Sequence, residues 1–72
     1  MAYYKDLISK LKFLRIEGGY TKEAFAESIG VTAVMVYNWE SERRIISLDN
    51  LRKIAVKFDV SIDYLVGLKG SK

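Results

Sequence analysis

Apolar residues recur along the chain at helical spacing, and turn-forming residues interrupt them every ten residues or so. Leu7, Leu11 and Leu14 stand at i, i+4 and i+7, with Lys5, Lys10, Lys12 and Arg15 on the other faces; this spacing predicts an amphipathic helix with an ordinary polar face. Gly18-Gly19 stops it, because glycine accepts the left-handed turn that ends many helices. Thr21 is placed to cap a second helix, with Glu23 in the first turn complementing the helix dipole. That helix carries Phe25, Ala26 and Ile29 inward and ends at Gly30. Later in the chain, Ser47 caps a helix with Leu48, Leu51, Ile54, Ala55 and Phe58 on one face, and Asp59 occupies the turn after it. Ser61 caps a last short helix bearing Ile62, Leu65 and Val66, stopped by Gly67. The reading is one domain over residues 1–68, with 69–72 a frayed tail.

The segment between Gly30 and the fourth helix is the exception. Residues 31–40 read VTAVMVYNWE, and valine, threonine and tyrosine favour extended strands. Yet helices flank it on both sides, and a lone strand would find no partner for its backbone groups. Propensity yields to such context, so a third helix of about residues 32–40, capped by Thr32, is predicted. At about 100° per residue, Met35, Val36 and Trp39 fall on one side and Ala33, Val34, Tyr37 and Asn38 on the other. The first group is placed to pack against Phe25, Ala26 and Ile29. The second faces outward, and a valine beside a tyrosine on an exposed arc invites a partner. Trp39 is assigned to the core, and Glu40 to a local hydrogen bond or ion pair that anchors the fold. Two short helices joined by a tight turn, the second presenting an outward face, form a helix-turn-helix.

Composition narrows the function. The chain has 72 residues, half of them hydrophobic and 29% charged, as suits a single compact globule. It contains neither cysteine nor histidine, so it lacks the commonest general base, the commonest transition-metal ligand and any disulfide. An enzyme is not expected, nor a metal, cofactor or small-molecule ligand. No apolar run approaches the ~20 residues that cross a bilayer, and MAYYKDLISK has no apolar core of signal-peptide type; a cytoplasmic location is expected. The net charge of +3 is permissive for nucleic acid without requiring it.

TKEAFAESIGVTAVMVYNWE resembles the helix-turn-helix of the XRE family, the Cro and phage-repressor type of DNA-binding domain, and SLDNLRKIAVKFDVSIDYLVG is similar to that family's fourth and fifth helices. The strongest elements are the Ala26-to-Gly30 spacing, Val36, the Trp39-Glu40 pair and FDVSIDYLVG. The resemblance implies an all-α, compact five-helix domain of the lambda-repressor-like type, and a repressor of phage or bacterial type. It also implies a third helix lying in the major groove, with Thr32, Ala33, Val34, Tyr37 and Asn38 facing bases and nearby backbone. Lys22 stands where the family usually has a phosphate-contacting glutamine, and it keeps a phosphate-seeking donor at a helix N-terminus. Arg43 and Arg44 fall in the loop after helix three, which in that family tracks the DNA backbone. Glu42 stands where the family often has glycine, and the proline often found before helix four is missing; both departures bear on the shape of the 41–46 loop.

The chemistry of these residues fits the same partner. An asparagine such as Asn38 can bond adenine N6 and N7 together, and Ala33 and Val34 can cover thymine methyl groups, while Tyr37 can reach a phosphate or a sugar. An A·T-weighted site is expected. Tyr64, Leu65, Val66 and Leu68 exceed what a short terminal helix needs for the core, and the resemblance suggests a homodimer interface there. Such a dimer would read a palindromic operator with half-sites about 34 Å apart. The alternative is a protein–protein module gripping its partner with the Ala33, Val34 and Tyr37 face, since a fold does not fix a function.

Overall fold

Every capping residue named above starts a helix. The computed structural model describes residues 2–68 and 70, with side chains from Lys5 onward. Five helices follow one another: α1 (Ala2–Glu17), α2 (Lys22–Ile29), α3 (Ala33–Glu40), α4 (Leu48–Phe58) and α5 (Ile62–Leu65). No strand occurs among the described residues, and VTAVMVYNWE is helical from Ala33. The frayed tail expected over 69–72 lies, Gly70 aside, outside the described residues.

The helix starts share one device. The Thr21, Thr32, Ser47 and Ser61 hydroxyls accept from the backbone N–H three residues on, at 3.0, 3.2, 3.2 and 3.0 Å, satisfying donors that the first turn leaves without partners. The helix ends share another. After α2, Gly30 adopts φ 76°, its N–H donates to Glu27 O, and the Val31 N–H reaches Ala26 O. This is the Schellman arrangement. It turns the chain within three residues and brings Val31 against the core. Ala26 is buried, and its small side chain lets α3 lie close to α2.

The same bonding closes α3, but there the left-handed residue is Glu42, at φ 63°. Its N–H donates to Trp39 O, and the Arg43 N–H donates to Asn38 O at 2.9 Å. The loop therefore keeps the geometry that glycine gives at this position, with a glutamate held in a region that costs L-residues about 1–2 kcal/mol.

The core is one cluster. Leu7, Ile8, Leu11 and Leu14 of α1 meet Phe25, Ala26 and Ile29 of α2, Val36 and Trp39 of α3, Ile46 of the loop, Ile54 and Ala55 of α4, and Val60 and Leu65. Phe25 and Phe58 stack at 5.8 Å, with the Tyr20 ring edge-on to both. Two sequence readings need correcting. Leu48, predicted to face inward, is 64% exposed; it is the first residue of α4, and Ile46 fills the core at that end instead. Arg15, read as an ordinary polar-face residue, is buried. It lies four residues after Leu11 and seven after Ile8, on the apolar stripe rather than beside it.

The buried arginine has partners. Its Nε donates to Glu40 Oε2 at 2.8 Å, Nη2 to Glu40 Oε1 at 3.1 Å, and Nη1 to Tyr20 O at 2.9 Å. This bidentate pair fastens the end of α1 to the end of α3, in the anchoring role expected of Glu40. Every buried side-chain polar atom among the described residues has a hydrogen-bond partner.

Candidate nucleic-acid interface

α3 lies with Val36, Trp39 and Glu40 buried and Met35 packed against the core. Its opposite side carries Val34, 67% exposed, and Tyr37, 50% exposed, with Ala33 and Asn38 half-buried at the edges and Thr32 exposed at the cap. The apolar face that fixes α3 to α2 thus leaves the other arc as the helix-wheel reading describes it.

Two neighbouring elements extend this arc. The first is the opening turn of α2. The Lys22 ammonium lies 4.9 Å from the centre of the Tyr37 ring and 3.9 Å from Glu40 Oε1. Glu40 already faces the Arg15 guanidinium, so the trio Arg15, Lys22 and Glu40 carries one net positive charge, with the lysine its more exposed member. Glu23, one residue on, accepts a hydrogen bond from the Tyr37 hydroxyl at 3.2 Å. That bond and the nearby carboxylate charge raise the Tyr37 pKa above its ordinary value, because both favour the protonated phenol.

The second element is the loop after α3. Arg43 and Arg44 are exposed, and both backbone N–H groups bond to Asn38 O, at 2.9 and 3.3 Å. Arg44 also lines a shallow groove with Met35, Asn38, Trp39, Ile45 and Asn50. The Asn38 side-chain amide has no hydrogen-bond partner among the described residues. It presents a donor and an acceptor side by side at the rim of α3.

The structure thus brings Lys22, Tyr37, Asn38 and Arg44 together around α3, with Ala33 and Val34 on the same helix and Arg43 beside them in the loop. It separates the residues assigned to pairing. Leu65 is fully buried and leaves that set, because the domain's own core claims it. Tyr64 packs against the core and receives the Lys10 ammonium at its carbonyl, 2.8 Å away. Val66 is half-buried, and Leu68 is 76% exposed. The sequence pattern does not reveal the contact between Glu23 and Tyr37. Glu23 was visible only as a helix-dipole residue, since a contact across fourteen positions leaves no periodic trace.

Among the described residues, no helix is long and apolar enough to cross a membrane, and no group of three or more acidic, cysteine or histidine side chains is gathered to hold a metal. Capped helices, a tight α2–α3 turn and an outward-facing α3 define a helix-turn-helix domain. The helix-turn-helix family profile matches residues 11–65. Over 59 residues the chain is 37% identical to the uncharacterized HTH-type transcriptional regulator YobD of Bacillus subtilis (strain 168), covering 82% of this chain and 53% of that one. Over 62 residues it is 34% identical to the HTH-type transcriptional regulator ImmR of the same organism, covering 86% and 49%. The chain belongs to the XRE-type helix-turn-helix family. It spans about half the length of the curated relatives it matches. No solved structure shows a significant match.

Proposed function

We propose that this chain binds double-stranded DNA sequence-specifically and acts as a transcriptional regulator of the repressor type, laying α3 in the major groove. The observation that carries this reading is the Asn38 amide. This side chain has no hydrogen-bond partner among the described residues and stands at the edge of an apolar, half-exposed helix face, with cationic side chains on both sides. Its paired donor and acceptor match adenine N6 and N7, and Ala33 and Val34 match thymine methyl groups. Lys22, at the N-terminus of α2, and Arg43 and Arg44, in the loop, are assigned to phosphates, which set register without reading sequence. Thr32 lies at the start of α3, where the helix would enter the groove.

Two copies would pair through the α5 end, with Val66 and Leu68 as the apolar contact and Tyr64 at its edge. Their recognition helices would then meet half-sites of a palindromic operator about 34 Å apart. The protein is read as a binding protein of the cytoplasm, not as an enzyme.

The test is binding to a selected duplex and to a scrambled one across a salt series. Asn38→Ala should cost about 1–3 kcal/mol on the selected site and relax preference at one base pair, whereas Lys22→Ala should weaken all binding and lower the salt slope by about one. Equal loss on both duplexes for Asn38→Ala would move Asn38 to the backbone contacts. An unchanged slope for Lys22→Ala would take Lys22 out of the interface. If the parent binds neither duplex yet captures a protein through the Ala33, Val34 and Tyr37 arc, the protein-binding alternative holds instead.

A further inference from the structure

Tyr37 is the largest side chain on the outward arc of α3, and its orientation is set from two sides. Lys22 lies over one part of the ring at 4.9 Å and is itself drawn toward Glu40, which Arg15 fixes in the core. Glu23 takes the hydroxyl at 3.2 Å. A series of contacts thus runs from the buried Arg15–Glu40 pair to the tip of an exposed phenol.

A phenol has one proton to donate and lone pairs with which to accept. An ionised carboxylate can only accept, so in the bond to Glu23 the tyrosine is the donor and its single proton is committed. What Tyr37 can then offer a ligand is an acceptor. Phosphate oxygens are acceptors too, as are guanine O6 and N7, thymine O4 and adenine N7. The hydrogen-bond donors that base edges show in the major groove are adenine N6 and cytosine N4.

We propose that Glu23 is a specificity-setting positioning residue: by holding the Tyr37 proton, it makes Tyr37 a reader of a base amino group rather than a phosphate contact. This inference rests on the DNA-binding reading above and replaces the expectation that Tyr37 reaches a phosphate or sugar. Glu23 acts through Tyr37. Its own charge is partly offset by the α2 dipole, since it sits in that helix's first turn, and by the adjacent Lys22.

The experiment compares the parent chain, Tyr37→Phe and Glu23→Ala in selection from a random duplex pool, alongside an NMR titration of Tyr37 in the parent and in Glu23→Ala without DNA. The parent should enrich adenine or cytosine at one position by roughly three- to ten-fold, the worth of one hydrogen bond. Both variants should lose that preference while keeping the adenine assigned to Asn38. In the DNA-free titration, Tyr37 of the parent should ionise above ordinary tyrosine, and Glu23→Ala should bring it down.

Uniform weakening of all sequences by Tyr37→Phe would make Tyr37 a phosphate contact and overturn the proposal. So would a preference that survives in Glu23→Ala, or a Tyr37 titration indifferent to Glu23. Should the parent enrich no sequence while the titration still responds to Glu23, the bond exists and the DNA-binding reading has failed, taking the proposal with it.

Discussion

Replacing Arg15 by methionine should remove much of the domain's stability. The side chains of Arg15 and Glu40 are only 10% and 4% exposed, and they share two hydrogen bonds of 2.8 and 3.1 Å. Methionine keeps the apolar stem but removes the charge. Glu40 then stays buried, with Lys22 at 3.9 Å as its remaining cation, and Tyr20 O loses its guanidinium donor. Breaking a buried pair by removing one partner costs about 3–5 kcal/mol. The partly exposed lysine offsets some of this, so the lower end, about 3 kcal/mol, is expected. A domain of this size has about 4–11 kcal/mol in all. At about 4–8 °C per kcal/mol, the midpoint of thermal unfolding should fall by about 12–24 °C. Urea unfolding followed by the fluorescence of Trp39, a buried neighbour of Glu40, gives the value directly. The double variant Arg15→Met, Glu40→Leu should return to within about 1 kcal/mol of the parent or exceed it, because no uncompensated charge remains. A single variant within about 0.5 kcal/mol of the parent, the range of a surface change, would show that the buried pair does not hold α1 to α3. A double variant as unstable as the sum of the two single ones would show the same.

Three further outcomes follow from the same geometry. Trp39→Ala should cost about 3–5 kcal/mol, a large share of the stability of the fold, and circular dichroism melts read it. Glu42→Gly should stabilise by about 0.5–1 kcal/mol in urea unfolding, the relief of a left-handed glutamate less the extra freedom glycine gives the unfolded chain; a loss would mean that the Glu42 side chain has a partner worth more than its strain. Raising the pH should weaken the fold through Tyr37. Its folded-state pKa lies above the ordinary value of 10.0 because Glu23 accepts its proton. The stability this bond gives is therefore complete below pH 10.0 and is lost as the pH rises through the raised pKa, and Tyr37→Phe should flatten that alkaline decline.

The elements were legible because each carries local signals: an N-cap hydroxyl, an apolar stripe, a left-handed stop. Residues 31–40 were legible only through their neighbours, since their β-branched composition points the other way and the want of a partner strand decides for a helix. What escaped were contacts between residues far apart in sequence. Arg15 sits on the apolar stripe by spacing, but a charge there reads as solvated until Glu40, twenty-five positions on, is seen to face it. Leu48 fits the inward periodicity of α4, yet Ile46 takes its place at the helix start. Leu65 reads as a surface residue because one short helix needs few apolar groups, yet α1 and α4 both pack against α5 and Leu65 is fully buried. The candidate site is legible as a face but not as an arrangement: the wheel finds Tyr37 and Asn38, and only the fold shows that Lys22 and Glu23 hold the first while the side-chain amide of the second has no hydrogen-bond partner among the described residues.

We propose that the outward arc of α3, the first turn of α2 and the loop after α3 form one DNA-binding surface. Titrating the isotopically labelled protein with a selected duplex, and mapping the backbone amide shifts by NMR at low and moderate salt, tests it most directly. Shifts should concentrate at Lys22 and Glu23, at Thr32 through Asn38, and at Arg43 and Arg44, and diminish as salt rises. Shifts centred elsewhere, for example on the exposed Phe13 and Ile16 of α1, or no shifts with any duplex, would contradict it.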